Sequence, residues 1–297
     1  MRVDPNLSSL LNIGIQGTEQ ALNTAVQQVA TGQRVGVPSD DPAAAAANLQ
    51  SLAESANVDT YTKNGDAVVS QAQMADSALS NVVNELNQAI TLGTQGADGS
   101  MTSDDRASIA TQLQSLLSQV VSQANTTFNG VSLFSGTAGA TPAFVQDSTS
   151  PNGYSYQGNS GVNTVVIGDN LEVNVNVPGD QMFTNPNGNV LGSLTQLISA
   201  LGSGSSTDIG NAVAGVKTAL TNVSQQRVLY AGVVNQVNAQ ESFLSQETLS
   251  LTSQQQSLTS VDMSVAVSNL TQAQIAHTTI LAAAAKVLPT SLLDYLN

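Results

Sequence analysis

The sequence predicts a mainly α fold with a β insertion. A long antiparallel helical coiled-coil bundle is formed by the N- and C-terminal halves, and a small central β-rich domain lies between them. Three observations predict it. Apolar residues recur at alternating three- and four-residue steps through long stretches of both halves, the spacing of a coiled-coil seam. That period is lost between Val131 and Gly192, where Gly, Pro and Asn recur and short β-branched runs appear. Aromatic residues are only 3% and Trp is absent, so the core must be packed from Leu, Val, Ile and Ala, which suit helical seams.

Composition narrows the function classes. A length of 297 residues allows one or two domains, and 41% hydrophobic residues suffice for a core. Charged residues are 9%, far below the roughly 25% usual in soluble domains. Gln, Asn, Ser and Thr fill the outward positions instead, and such faces can meet other polar subunits without burying charge. A net charge of −14, with seven scattered Lys and Arg, argues against a nucleic-acid partner. The absence of Cys excludes disulfides, thiolate metal sites and cysteine nucleophiles. No basic segment followed by an apolar run opens the chain, so no cleavable signal peptide is expected. No membrane insertion is expected either. The most apolar stretch, Ile275–Leu288, is shorter than a span and carries His277, Thr278, Thr279 and Lys286.

Residues 1–64 form an N-terminal coiled-coil and assembly segment with its loop. Leu11, Ile15, Thr18, Leu22, Ala25 and Val29 keep the heptad step until Thr31-Gly32 stops the helix. Gly14 and Gly17 each weaken it by about 1 kcal/mol relative to Ala. The loop Gly32-Gln33-Arg34-Val35-Gly36-Val37-Pro38-Ser39-Asp40 leads to Asp41-Pro42, an N-cap followed by a proline suited to the first helical position. Asp40 suits the positive end of that helix. The helix is expected to run toward Thr62, with Gly65-Asp66 as a turn.

The N-terminal half of the bundle occupies 65–130. Val68, Ala72, Ala75, Leu79, Val82, Leu86 and Ala89 continue the seam. A polar loop over Gly93–Ser103 follows, and Thr102-Ser103-Asp104-Asp105 caps a helix carrying Ile109, Leu113, Leu116 and Val120. In the β-rich domain, 131–192, Asn163–Ile167 and Leu171–Val177 read as strands of a hairpin turning at Gly168-Asp169-Asn170. Tyr154 and Tyr156 share one face of another strand.

The C-terminal half of the bundle is 193–262. A helix over Leu191–Leu201 is interrupted at Gly202–Ser206, and Thr207 or Asp208 caps the long helix. Its seam runs from Val213 through Val216, Val223, Tyr230, Val237, Leu244, Leu251 and Leu258 to Val265. Unbroken, about fifty residues would extend roughly 75 Å. Arg227, Glu241 and Asp262 are polar seam positions that can fix register. The last segment, 263–297, repeats the step at Ala266, Leu270, Ala273, His277, Ile280, Ala284 and Val287, and Pro289 is expected to break it. Leu11, Ile15, Leu22, Val29, Leu270, Ile280 and Val287 are therefore the expected assembly seam. Neither terminal segment can bury its stripe alone; each can do so against the other or against a neighbouring subunit.

No constellation supports catalysis, a metal or a cofactor. His277 has no second His or Cys to complete a metal site or triad, so a packing or register role is expected. Capping accounts for Asp40-Asp41 and for Asp104-Asp105. The glycine-rich Gly130–Gly139 lacks the Lys-Ser/Thr of a phosphate loop. Arg34, a lone cation in the loop of an acidic chain, is expected to pair with a carboxylate of its own or a neighbouring subunit.

Ala30-Thr31-Gly32-Gln33-Arg34-Val35 with Pro38-Ser39-Asp40-Asp41-Pro42-Ala43 forms one motif, and Asp104-Asp105-Arg106, Asn125-Thr126-Thr127 and Leu133-Phe134-Ser135-Gly136 form a second. Together they resemble the bacterial flagellin family. The family contains both the filament subunit and the subunit joining hook to filament. Tyr154-Ser155-Tyr156-Gln157-Gly158, Asn176-Val177-Pro178-Gly179-Asp180-Gln181-Met182-Phe183 and the ending Ser291-Leu292-Leu293-Asp294-Tyr295-Leu296 resemble the joining subunit.

The resemblance implies an extracellular structural subunit of the flagellum, exported by the flagellar type III apparatus with a chaperone. It implies a ring of about eleven subunits, with a hook-associated protein on the hook side and flagellin on the filament side. Arg34, Asp40, Asp41 and Pro42 are the motif and loop contacts it points to. A filament flagellin, or another type III secreted helical protein, is the alternative.

Overall fold

A computed structural model describes the backbone of residues 5–293 and the side chains of residues 9–286. Helices α1 (Pro5–Thr31), α2 (Pro42–Gly96) and α3 (Ser103–Ala124) precede six short strands. These are β1 (Thr127–Phe128), β2 (Val131–Ser132), β3 (Phe144–Gln146), β4 (Tyr154–Tyr156), β5 (Thr164–Gly168) and β6 (Leu171–Asn174). Then come α4 (Gly179–Phe183), α5 (Val190–Ser203), α6 (Ser206–Thr259) and α7 (Met263–Leu293). The mainly α fold with a small β region is as the sequence predicts. The chain divides into two compact units: residues 58–245, and residues 1–57 with 246–297.

In the unit 58–245, α2 and α6 run antiparallel. Asp76 meets Arg227, a Cβ on Gly65 would lie 3.1 Å from Val237 Cγ1, and one on Gly93 would lie 2.6 Å from Val213 Cγ2. The seam step is visible in burial: Ala72, Ala75, Leu79, Val82, Leu86 and Ala89 of α2 share a core with Val216, Val223 and Tyr230 of α6. Leu113 and Val120 of α3 and Leu194 and Leu197 of α5 complete it.

Three expected breaks fall elsewhere. Gly65-Asp66 is no turn, because α2 continues from Pro42 to Gly96. Gly65 serves a close approach: a side chain there would crowd Val237 and Glu241 Oε1, the latter at 3.3 Å. The expected loop at Gly93 begins only after Gly96, since Gly93 and Gly96 make room for Leu197, Val213 and Leu201 while staying helical. Helix α6 starts before Thr207: the Ser205 hydroxyl oxygen accepts the Asp208 N–H at 3.2 Å and so caps it. Gly204, at φ 73°, ends α5 just upstream. Thr102 and Asp105 do form the expected capping box on α3.

The β region is three separate two-stranded antiparallel pairs, β1–β2, β3–β4 and β5–β6. The hairpin β5–β6 turns through Asp169 and Asn170, the latter at φ 57°, as such tight turns require. Its Ile167, Val173 and Val175 pack with Val68 and Val237. An aromatic cluster belongs instead to the larger core: Phe134 and Phe144 each meet Phe183 edge-on, with centroids 5.3 and 5.4 Å away. Tyr156 donates to Phe134 O at 2.7 Å and accepts the Gly179 N–H at 3.2 Å, tying β4 to the start of α4. Helix α4 carries no heptad step and was not expected.

In the other unit, the C-terminal seam is not one helix. Helix α6 ends at Thr259, and Val265 belongs to α7. Asp262 is an N-cap instead of a seam residue, accepting the Ser264 N–H at 2.8 Å. Pro289 does not end α7, which runs to Leu293. Its missing N–H removes one bond of the ladder, and the preceding Ala282–Ala285 run propagates helix well. The ending at Asp294-Tyr295-Leu296 lies outside the described residues.

Candidate assembly site

Helices α1 and α7 pack antiparallel. A Cβ on Gly14 would collide with Ile280 Cδ1, so the glycine lets the two helices close at that level. One turn on, Thr18 Oγ1 donates to Ile15 O at 2.9 Å and lies 3.2 Å from His277 Nδ1. With the hydroxyl proton committed to Ile15, the consistent tautomer has Nδ1–H donating to Thr18. His277 is thus a register contact between the helices, and its ring meets a hydroxyl.

Toward the other end of the pair, Gly17, Ala21 and Ala25 face Ala273 and Ala276 across a groove of about 610 Å³ rimmed by Gln20, Gln28, Asn269 and Gln272. Of the expected seam, Leu11, Ile15, Leu22 and Val29 on α1 and Leu270 and Ile280 on α7 are all half-buried. The side chain of Val287 lies outside the described residues. Full burial falls to Ala25, Ala266 and Ala284. Large apolar side chains remain outside: Leu10 is 64% exposed, Ile13 65% and Ile275 60%. The pair covers part of its apolar surface and leaves the rest uncovered.

The loop between α1 and α2 meets the break between α6 and α7. The N–H of Arg34 donates to Thr259 O at 2.7 Å, and that of Val261 to Gly32 O at 3.0 Å, around a bridge between Gln33 and Ser260. Arg34 Nη1 donates to Asp41 Oδ2 at 2.9 Å and Nη2 to Leu258 O at 3.0 Å. The carboxylate expected for Arg34 is thus in its own chain. Asp41 Oδ1 accepts the Ala44 N–H at 3.0 Å, capping α2 before Pro42. That N–H, and then the Arg34 guanidinium, hold the Asp41 carboxyl below the usual carboxylate range. Asp40 Oδ2 accepts the N–H groups of Gly36 and Val37 at 2.9 and 3.0 Å, folding the loop on itself.

Among the described residues, the polar side chains Arg34, Asp40, Asp41 and His277 are engaged in caps, loop contacts and inter-element hydrogen bonds, and exposed apolar side chains remain on the helix pair. Reasoning from sequence put Leu258 on the seam but missed that the backbone of Leu258, Thr259 and Ser260 meets the loop. No side-chain signal announces that contact.

Residues 6–139 match the bacterial flagellin N-terminal helical region. Over that stretch the chain resembles flagellins. The particular resemblance is to hook-associated proteins. The flagellar hook-associated protein 3 of Escherichia coli strain K12 is 27% identical over 274 residues, covering 84% of this chain and 85% of that protein. The flagellin of Listeria monocytogenes is 29% identical over 156 residues, covering 51% of this chain and 54% of its own length. The structure of a putative flagellar hook-associated protein from Vibrio parahaemolyticus superposes with TM-score 0.68 at 23% identity, covering 74% of this chain and 99% of that one. That likeness establishes the fold.

Proposed function

We propose that this protein is the structural subunit that joins hook to filament in the bacterial flagellum, with no catalytic role. One observation carries the reading: similarity to hook-associated protein 3 spans 84% of this chain, whereas the flagellin match spans 51%. In this reading the protein is exported by the flagellar type III apparatus with a chaperone and acts outside the cell. About eleven copies form a ring, with another hook-associated protein on one side and flagellin on the other. Segments 1–64 and 263–297 provide its assembly surface. The uncovered Leu10, Ile13 and Ile275 support this, because apolar side chains on a paired helix call for further helices against them.

Immunolabelled electron microscopy of flagella tests the reading. A single band where hook meets filament is expected, and deletion of the gene should leave complete hooks, no filaments and flagellin in the medium. Label along the whole filament would make the protein a filament flagellin, the second reading, which rests on the 29% identity to the Listeria monocytogenes flagellin over 156 residues.

A further inference from the structure

Arg34 and Leu258 are 224 residues apart in sequence, and each sits beside an interruption in the helical path. The first interruption separates α1 from α2 and the second separates α6 from α7. They close on each other through one short bridge and two backbone hydrogen bonds of 3.0 Å or less, from Arg34 to Thr259 and from Val261 to Gly32. A ladder of that length has little stability of its own, since even complete two-stranded hairpins are marginal in water.

What distinguishes this joint is the Arg34 side chain. Its two terminal nitrogens point at different helices: Nη1 at the N-cap carboxylate of α2, Nη2 at Leu258 O in the last turn of α6. Leu258 O is one of the last four carbonyls of α6, which have no partner within the helix. The Arg34 backbone meanwhile holds Thr259, and Gly32 at the end of α1 accepts from Val261 at the threshold of α7. Arg34 itself therefore joins the ends of α2 and α6, and the Gly32–Val261 bond beside it joins those of α1 and α7. Lysine, a single compact cation without a planar fork, cannot satisfy both acceptors in this geometry.

We propose that Arg34 is the latch of a single joint, so that α1 and α7 are held or released together at their joint-side ends by this one side chain. The latch lies at the surface: the Arg34 and Asp41 side chains are 44% and 31% exposed. Exposed pairs weaken with salt. The joint is thus a device that ionic conditions can loosen without disturbing the apolar core of residues 58–245.

Hydrogen exchange on the isolated full-length chain tests this. In the unaltered protein the amides of Arg34, Val35 and Val261 should be protected. R34Q should lower that protection at least tenfold, together with the last turn of α1 and the first turn of α7. R34K should fall between the two. D41N keeps a side chain able to cap α2 but removes the anion, and should act in the direction of R34Q. Raising ionic strength to about 1 M, where the Debye length is about 3 Å, should move the unaltered protein toward R34Q and leave R34Q unchanged. Amides of α3 and α5 serve as the internal reference and should not change.

Unprotected amides at the joint of the unaltered protein would overturn the proposal. So would protection unaffected by R34Q, or an equal loss in α3 and α5. Because the experiment uses a single chain outside the flagellum, its failure leaves the junction reading standing, and failure of that reading leaves the latch standing.

Discussion

Gly14 and Gly17 are a controlled pair at the scale of single residues, both in α1 and three positions apart. Replacing either with Ala removes backbone freedom from the unfolded chain and favours helix by about 1 kcal/mol. At Gly17 nothing lies within 4 Å of the added carbon, whereas at Gly14 it would meet Ile280 Cδ1. G17A should therefore raise helical content and stability of the isolated chain, measured by circular dichroism on heating, while G14A should gain less or lose. Equal gains would show that α1 and α7 do not close at Gly14. Acid gives a second expectation at this scale. Asp41 and Asp105 are held below the usual carboxylate range, Asp41 first by the Ala44 N–H and Asp105 first by the Thr102 hydroxyl. A depressed folded pKa means that their stabilisation is complete above the unfolded value, near 3.8 for both. It is lost as pH falls through the lower folded value. Caps on α2 and α3 should hold at pH 5 and fail only below about 3.8, and D41N should flatten that dependence near the joint when followed by amide exchange.

At the scale of elements, the seam of α1 and α7 makes a testable surface. Leu22 and Ile280 are half-buried in the single chain. L22D or I280D would place an unpaired charge in an assembled helical layer, at a cost of several kcal/mol, but would cost much less where water still reaches the site. On the proposed junction role, export into the medium should continue while incorporation into flagella fails; normal incorporation would mean that these residues do not face a packed layer. The heptad step found the long helices and the register of their buried faces because burial imposes that period, as Leu79, Val82 and Leu86 illustrate. It could not find their continuity at Gly65. The glycine there answers to Val237, which is 172 positions away in a helix of its own. Asp262 was misread for the converse reason: an N-cap and a polar seam position carry the same residue, and only the helix boundary separates them. The Asp41 cap was legible because the following Pro42 fixed the boundary. The hairpin turn at Asp169-Asn170 was legible because its signal is local. Helix α4 and the Phe134–Phe144–Phe183 cluster were not, because an irregular segment gives no period to read.

At the scale of the whole molecule, residues 58–245 enclose both hydrophobic clusters, so a fragment of that span should fold cooperatively by itself. In the full chain, proteolysis should cut within α1 and α7 before it cuts between residues 58 and 245; early cleavage inside that span would contradict the division. The pairing of Thr18 with His277 has a further consequence, in time. The two residues stand 259 positions apart. At the usual pace of synthesis, about 5–20 residues per second, roughly 10–50 s pass between the making of one and the making of the other. For that interval Leu11, Ile15 and Leu22 exist without the helix that half-covers them. Whatever meets the growing chain in that interval meets α1 without α7.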